Sequence, residues 1–120
     1  MANEISASAR LRVVNGNLKF EYDTGTQTFT QAAVGGPTPG YVTIGTTEES
    51  IAFGELGTLG WCLIKNLDAT NYVQWGPATT VYVGRLEAGE FALLRLEPGT
   101  TLYLKANTAA CKVLVYGIED

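Results

Sequence analysis

The sequence predicts an all-β fold, an antiparallel sandwich or barrel, and three observations carry that reading. From Trp61 to Gly117 short apolar runs return on a beat of roughly ten residues, the spacing of strands in such folds. Arg85-Leu86-Glu87-Ala88-Gly89-Glu90 is echoed by Arg95-Leu96-Glu97-Pro98-Gly99-Thr100, and each copy ends an apolar run with a turn. Fourteen glycines and a single methionine suit a turn-rich β chain better than a helical one. The length, 120 residues, gives room for one domain, which would bury roughly two-thirds of its unfolded surface.

Taken in order, residues 1–8 are small and polar without periodicity and read as a free or docked N-terminal arm, leaving 9–120 as the sandwich domain. Ala9 to Val14 alternates apolar and basic residues, the pattern of a half-buried strand. Asn15-Gly16 signals a two-residue turn, and beyond it Leu18, Phe20 and Tyr22 alternate with Lys19, Glu21 and Asp23. The pair predicts a hairpin. Asp23-Thr24-Gly25 turns the chain into a Thr- and Gln-rich strand over 26–34, suited to an edge or to contact with another subunit. Gly35 to Gly40, with two prolines, predicts a loop, and Tyr41 to Ile44 resumes the sheet. Thr46 to Ser50 resembles a capping box with room for one helical turn. Strands are then expected at 61–66, 71–75, 80–85, 90–96, 101–105 and 111–117, with Glu97-Pro98-Gly99-Thr100 as a type II turn.

Composition excludes several classes. Twelve acidic against eight basic residues give a net charge of −4, and the basic residues are scattered beyond Arg10 and Arg12, which argues against nucleic acid or an anionic membrane as partner. No apolar run approaches the length of a membrane span. The opening residues carry no leader pattern, so synthesis and folding in a host cytoplasm are expected. Lys65 and Lys112 mark the outward faces of their strands. That places Cys62 with Ile64, and Cys111 with Val113 and Val115, facing the core as inert free thiols.

Chemistry finds little to stand on. No histidine occurs in the chain, which removes the usual general base and the serine triad; a zinc site would need two ligands beyond the cysteines. The glycines at 54, 57 and 60 match neither phosphate-binding fingerprint. Carboxylates pair at Glu48/Glu49, Glu87/Glu90 and Glu119/Asp120, all in turns or at the terminus. No enzyme, cofactor or metal is expected. Tyr72 and Trp75 on one short strand, with Trp61 earlier, are candidates for a contact surface. Alternation sets Val73 and Trp75 on one face and Tyr72 and Gln74 on the other, with Trp75 expected in the core. Arg10 and Arg12 suit either a solvated strand face or contact with an acidic neighbour.

Asn66-Leu67-Asp68-Ala69-Thr70-Asn71-Tyr72-Val73-Gln74-Trp75-Gly76 reads as strand, turn and strand, with Asp68 and Asn71 holding the turn. Together with Gly84 to Glu90, Leu94 to Gly99, Leu104 to Thr108 and Val14 to Leu18, this text resembles small virion structural proteins of tailed bacteriophages. The resemblance covers most of the chain and implies a jelly-roll-like β-sandwich. It further implies a capsid decoration (cement) protein gripping the major capsid protein from outside, often as a homotrimer that covers edge strands. A tail or fibre component of the virion is the alternative, and a carbohydrate-binding module, with Trp61, Tyr72 and Trp75 exposed, the second.

Overall fold

The computed structural model describes residues 3–54 and 56–120, and every regular element in it is a strand. Met1 and Ala2, which belong to the arm assigned to residues 1–8, lie outside the described residues. The chain divides into two compact units, one reaching to Ala33 and the other spanning Val34–Asp120. The sequence reading divided it after residue 8.

The first unit is a long antiparallel ribbon. β1 (Ile5–Ala7) pairs with β4 (Gln27–Phe29), and β2 (Arg10–Asn15) pairs with β3 (Leu18–Asp23). Between the two ladders Thr24 N donates to Ala9 O and Ala9 N donates to Thr24 Oγ1, both at 2.9 Å. The Thr/Gln strand expected over 26–34 therefore contracts to three residues. The hairpin turn is centred on Gly16 and Asn17, with Gly16 at φ +58, a glycine-first arrangement of the type II′ kind. That is one residue later than the Asn15-Gly16 signal. Charge explains the register: as folded, Arg10 faces Asp23 and Arg12 faces Glu21, whereas a turn centred on Asn15-Gly16 would set Arg12 against Lys19. Opposite charges across a ladder stabilise it and like charges oppose it.

The second unit is a jelly roll. Its strands are β5 (Thr38–Ile44), β6 (Glu49–Ser50), β7 (Leu59–Asn66), β8 (Val73–Gly76), β9 (Gly84–Leu86), β10 (Phe91–Arg95), β11 (Tyr103–Ala106) and β12 (Cys111–Glu119). They pair in nested fashion, β8 with β9, β7 with β10, β6 with β11 and β5 with β12. The chain is thus one long hairpin folded back at residues 77–83. Rolling that hairpin up adds the pairs β7·β12 and β8·β11. Two four-stranded antiparallel sheets result, ordered β10-β7-β12-β5 and β6-β11-β8-β9, as in eight-stranded jelly rolls.

The core lies between the sheets. Cys62 and Ile64 of β7 and Cys111, Val113 and Val115 of β12 face Val73, Leu86, Leu104 and Ala106 of the second sheet, all buried. The facing of both cysteine-bearing strands is as alternation predicts. Both thiols are free. Gly117, not Cys111, sits opposite Cys62, and at ~3.3 Å per residue along β12 the two cysteines are roughly 20 Å apart, well beyond disulfide reach.

Three expectations are corrected. Residues 38–40 belong to β5 and not to a loop: β5 is the outer strand of its sheet, and an edge position tolerates Pro39. The strand expected over 80–85 begins only at Gly84, because Val81 N donates to Ala78 O at 3.1 Å and Thr80 takes φ +60 in a tight turn. Thr46–Ser50 forms no helical turn; Glu49 and Ser50 pair with β11 as β6. Glu97–Thr100 is the expected turn, closed by Thr100 N on Glu97 O at 3.0 Å with Gly99 at φ +88.

Candidate functional site

The ribbon is amphipathic, and its apolar face is open. Directly paired residues of an antiparallel ladder share a face, so Leu11/Tyr22, Val13/Phe20 and Asn15/Leu18 make one side and Arg10/Asp23, Arg12/Glu21 and Val14/Lys19 the other. Leu11, Phe20 and Tyr22 are 67, 52 and 63% exposed. Neither strand contains a buried residue, where the sequence predicts one buried face. On the polar side Arg10 Nη2 lies 2.6 Å from Glu21 Oε2 and Arg12 Nε 3.7 Å from Glu21 Oε1. One carboxylate thus serves both candidate arginines. Exposed pairs of this kind contribute little stability; here they select the register.

The two outer faces of the jelly roll differ in chemistry. Outside β6-β11-β8-β9 stand Gln74, Arg85, Tyr103 and Lys105, a polar set by the same pairing rule. Arg85 lies over the Tyr72 ring, 3.8 Å from its centroid, so the candidate Tyr72 is held as a cation–π partner. Outside β10-β7-β12-β5 the ladder pairs Phe91 with Lys65, Leu93 with Leu63 and Arg95 with Trp61, and sets Leu114 between Lys65 and Tyr41 and Tyr116 between Leu63 and Pro39. Tyr41 and Phe91 are 73 and 62% exposed. A shallow apolar groove of about 250 Å³ is cut into this face, lined by Pro37, Trp61, Leu63, Leu93, Tyr116 and Ile118. Lys65 and Lys112 stand on the same side.

Trp75 faces inward and packs against the core, its indole lying over Gly84 of the neighbouring strand. Tyr72 precedes that strand and is separated from it in role. Arg10 and Arg12 belong to the first unit, and Tyr72 and Trp75 to the second. Trp75→Ala is expected to cost about 2 kcal/mol, below the usual loss for a fully buried tryptophan because the ring is partly exposed. Thermal unfolding measures it. Unchanged stability with loss of retention on a polysaccharide column would reassign the ring to a sugar site.

The carboxylates singled out in the sequence hold turns. Glu48 accepts Thr80 N at 2.8 Å and the Tyr82 hydroxyl, which keeps its own pKa below the usual carboxylate value and raises that of the phenol. Glu49 accepts Gly45 N at 2.7 Å, Glu90 accepts Glu87 N at 2.7 Å and Glu119 accepts Gly57 N at 2.6 Å. Asp120 takes Arg95 at 2.6 Å. Asp68 accepts Asn71 N at 2.6 Å and Thr70 N at 3.0 Å, bonds that lower its pKa; it holds the 68–71 turn as expected, while Asn71 contributes through its backbone. Burial pushes the Cys62 thiol up to about 12 and raises Cys111 as well, the signature of unreactive thiols.

Sequence reasoning missed Asn66. It is fully buried at the end of β7. Its Nδ2 donates to Asn71 O at 2.8 Å and Leu86 O at 3.0 Å, and its Oδ1 accepts Asp68 N at 3.0 Å. The available signal was alternation itself, which puts 66 inward with Cys62 and Ile64, where a polar residue must be satisfied. No family model, curated protein or solved structure matches the chain.

Proposed function

We propose that the protein is a bacteriophage virion structural component, and specifically a capsid decoration protein that binds the outside of the major capsid shell as a homotrimer. One observation carries the reading: an amphipathic ribbon whose apolar face is open, in the same chain as a jelly roll whose one outer sheet face carries apolar and aromatic side chains among Lys65, Arg95 and Lys112. A two-stranded ribbon is marginal by itself in water, and contiguous open apolar surface marks an interaction site. A chain built this way gains stability by assembling. The resemblance of residues 14–18, 66–76, 84–90, 94–99 and 104–108 to small virion structural proteins of tailed bacteriophages supports a phage particle as the partner. The polar outer face of the second sheet suits the side turned to solvent.

The test is to mix the purified protein with undecorated phage heads and sediment them. Co-sedimentation at a fixed stoichiometry, with heads that withstand a higher temperature, is the expected result. Pelleting with tails instead of heads would move the protein to the tail or fibre. Binding to neither would overturn the virion reading.

A further inference from the structure

We infer that the ribbon of one copy lies with its apolar face on the outer face of the β10-β7-β12-β5 sheet of a second copy, with an aromatic side chain seated in the groove there. The inference deepens the reading of the chain as a self-assembling protein and does not depend on which particle it joins.

The first argument is area. The ribbon face presents Leu11, Val13, Leu18, Phe20 and Tyr22, all open. Taking aromatic side chains at ~200 Å² and their exposures at about half gives roughly 400–500 Å² for this face. A copy that gives its ribbon and receives another's buries about twice that over its two contacts, roughly 800–1,000 Å² per copy, which matches the ~800 Å² per partner of a stable interface when both contacts are made to the same copy. A ribbon face packed on another ribbon face buries only the single share and leaves the sheet uncovered. Ribbon on sheet covers both.

The second argument is fit. The groove's lining is apolar throughout and its volume is about 250 Å³. A dry apolar cavity of ~150 Å³ already accepts a benzene ring, so a phenyl or phenol ring has room. Aromatic anchors seated in pockets dominate interface energies. Phe20 and Tyr22 are the ribbon's two aromatic residues on that face; Phe20 requires only removal from water, whereas Tyr22 must also keep its hydroxyl at a polar rim, so Phe20 is the better fit to the groove. The contact joins two different surfaces, so it closes by reciprocal exchange about a two-fold axis or as a small ring.

The experiment uses the purified full-length chain without any particle. Light scattering on a sizing column is expected to give an oligomer for the native chain and monomer for both Phe20→Glu and Phe91→Glu. Both positions are exposed, so circular dichroism is expected to stay unchanged. Phe20→Cys and Phe91→Cys chains, each otherwise native, are then mixed and treated with a bis-maleimide; the native thiols are buried. A cross-linked dimer in the mixture, and in neither chain alone, is the expected result. Cross-linking of the Phe20→Cys chain with itself would overturn the inference in favour of ribbon on ribbon. A native chain that is monomeric at all concentrations would also overturn it. Failure to bind heads would count against the decoration reading and leave this contact standing.

Discussion

Gly76→Ala is expected to unfold the jelly roll at a temperature at least 10 °C lower than the native chain. Gly76 ends β8, at the point where the long hairpin turns back on itself. A Cβ built there overlaps the carbonyl oxygen of Val81 and lies 2.8 Å from its carbon and 2.9 Å from the Cα of Tyr82. All three are backbone atoms, so no side chain can rotate away. Relief requires moving the 77–83 turn, which is fixed by Val81 N on Ala78 O at 3.1 Å and Val83 N on Trp75 O at 2.9 Å. Overpacking usually costs 1–3 kcal/mol; with backbone on the other side, about 3 kcal/mol or more is expected. At roughly 4–8 °C per kcal/mol for a domain of this size, the shift exceeds ~10 °C. Gly45→Ala is the control. Its nearest atom would be Glu49 Oε2 at 3.6 Å, an ordinary contact, and its φ is not in the left-handed region. Equal melting temperatures for the two variants would mean that the return at 77–83 does not press on Gly76.

What the sequence made legible follows from which physical signals are local. Alternation around Lys65 and Lys112 gives the facing of β7 and β12 because side-chain direction has a period of two and one buried face suffices to set it. The Glu97–Thr100 turn is legible because proline and glycine fix their own φ angles. Thr79 and Thr80 mislead for the opposite reason: β-branched residues favour strands on average, but Thr80 N is taken by Glu48 Oε2 at 2.8 Å, a contact from far along the chain. Thr38 to Gly40 reads as loop because the sequence does not reveal which strand is at an edge. Leu18, Phe20 and Tyr22 show the general limit. Their alternation says that one face requires cover, and it is silent on whether the cover comes from the same chain. The candidate pairs Arg10/Arg12 and Tyr72/Trp75 were visible as residue types, but their roles in setting register, stacking on Arg85 and filling the core depend on cross-strand partners.

Asn66→Asp should destabilise the protein more than Asn66→Ala at neutral pH and recover in acid, an ordering that isolates what the side chain does. The native amide joins three segments: β7, the 68–71 turn and the end of β9. Removing it in Asn66→Ala leaves Leu86 O, Asn71 O and Asp68 N without their partner. Each buried orphan costs about 1–3 kcal/mol, less than additively, so a loss of roughly 3 kcal/mol is expected. In Asn66→Asp the shape is kept, but an oxygen replaces the donor and faces two carbonyl oxygens in a fully buried place. Burial and carbonyl repulsion both oppose the charged form, which raises the folded-state pKa of the introduced carboxyl above its unfolded value. Below the unfolded pKa, about 3.9, the carboxyl is neutral in both states and its O–H replaces one of the lost donors. As pH rises above that value the unfolded state releases its proton first, and the penalty grows until the folded-state pKa is passed. Relative to the native chain at each pH, Asn66→Asp is therefore least destabilised near pH 3–4 and most near pH 7, whereas the deficit of Asn66→Ala stays flat. Urea unfolding of all three chains across that range measures it. A deficit for Asn66→Asp that does not change with pH would show that water reaches the site and that the three segments are not joined through this amide.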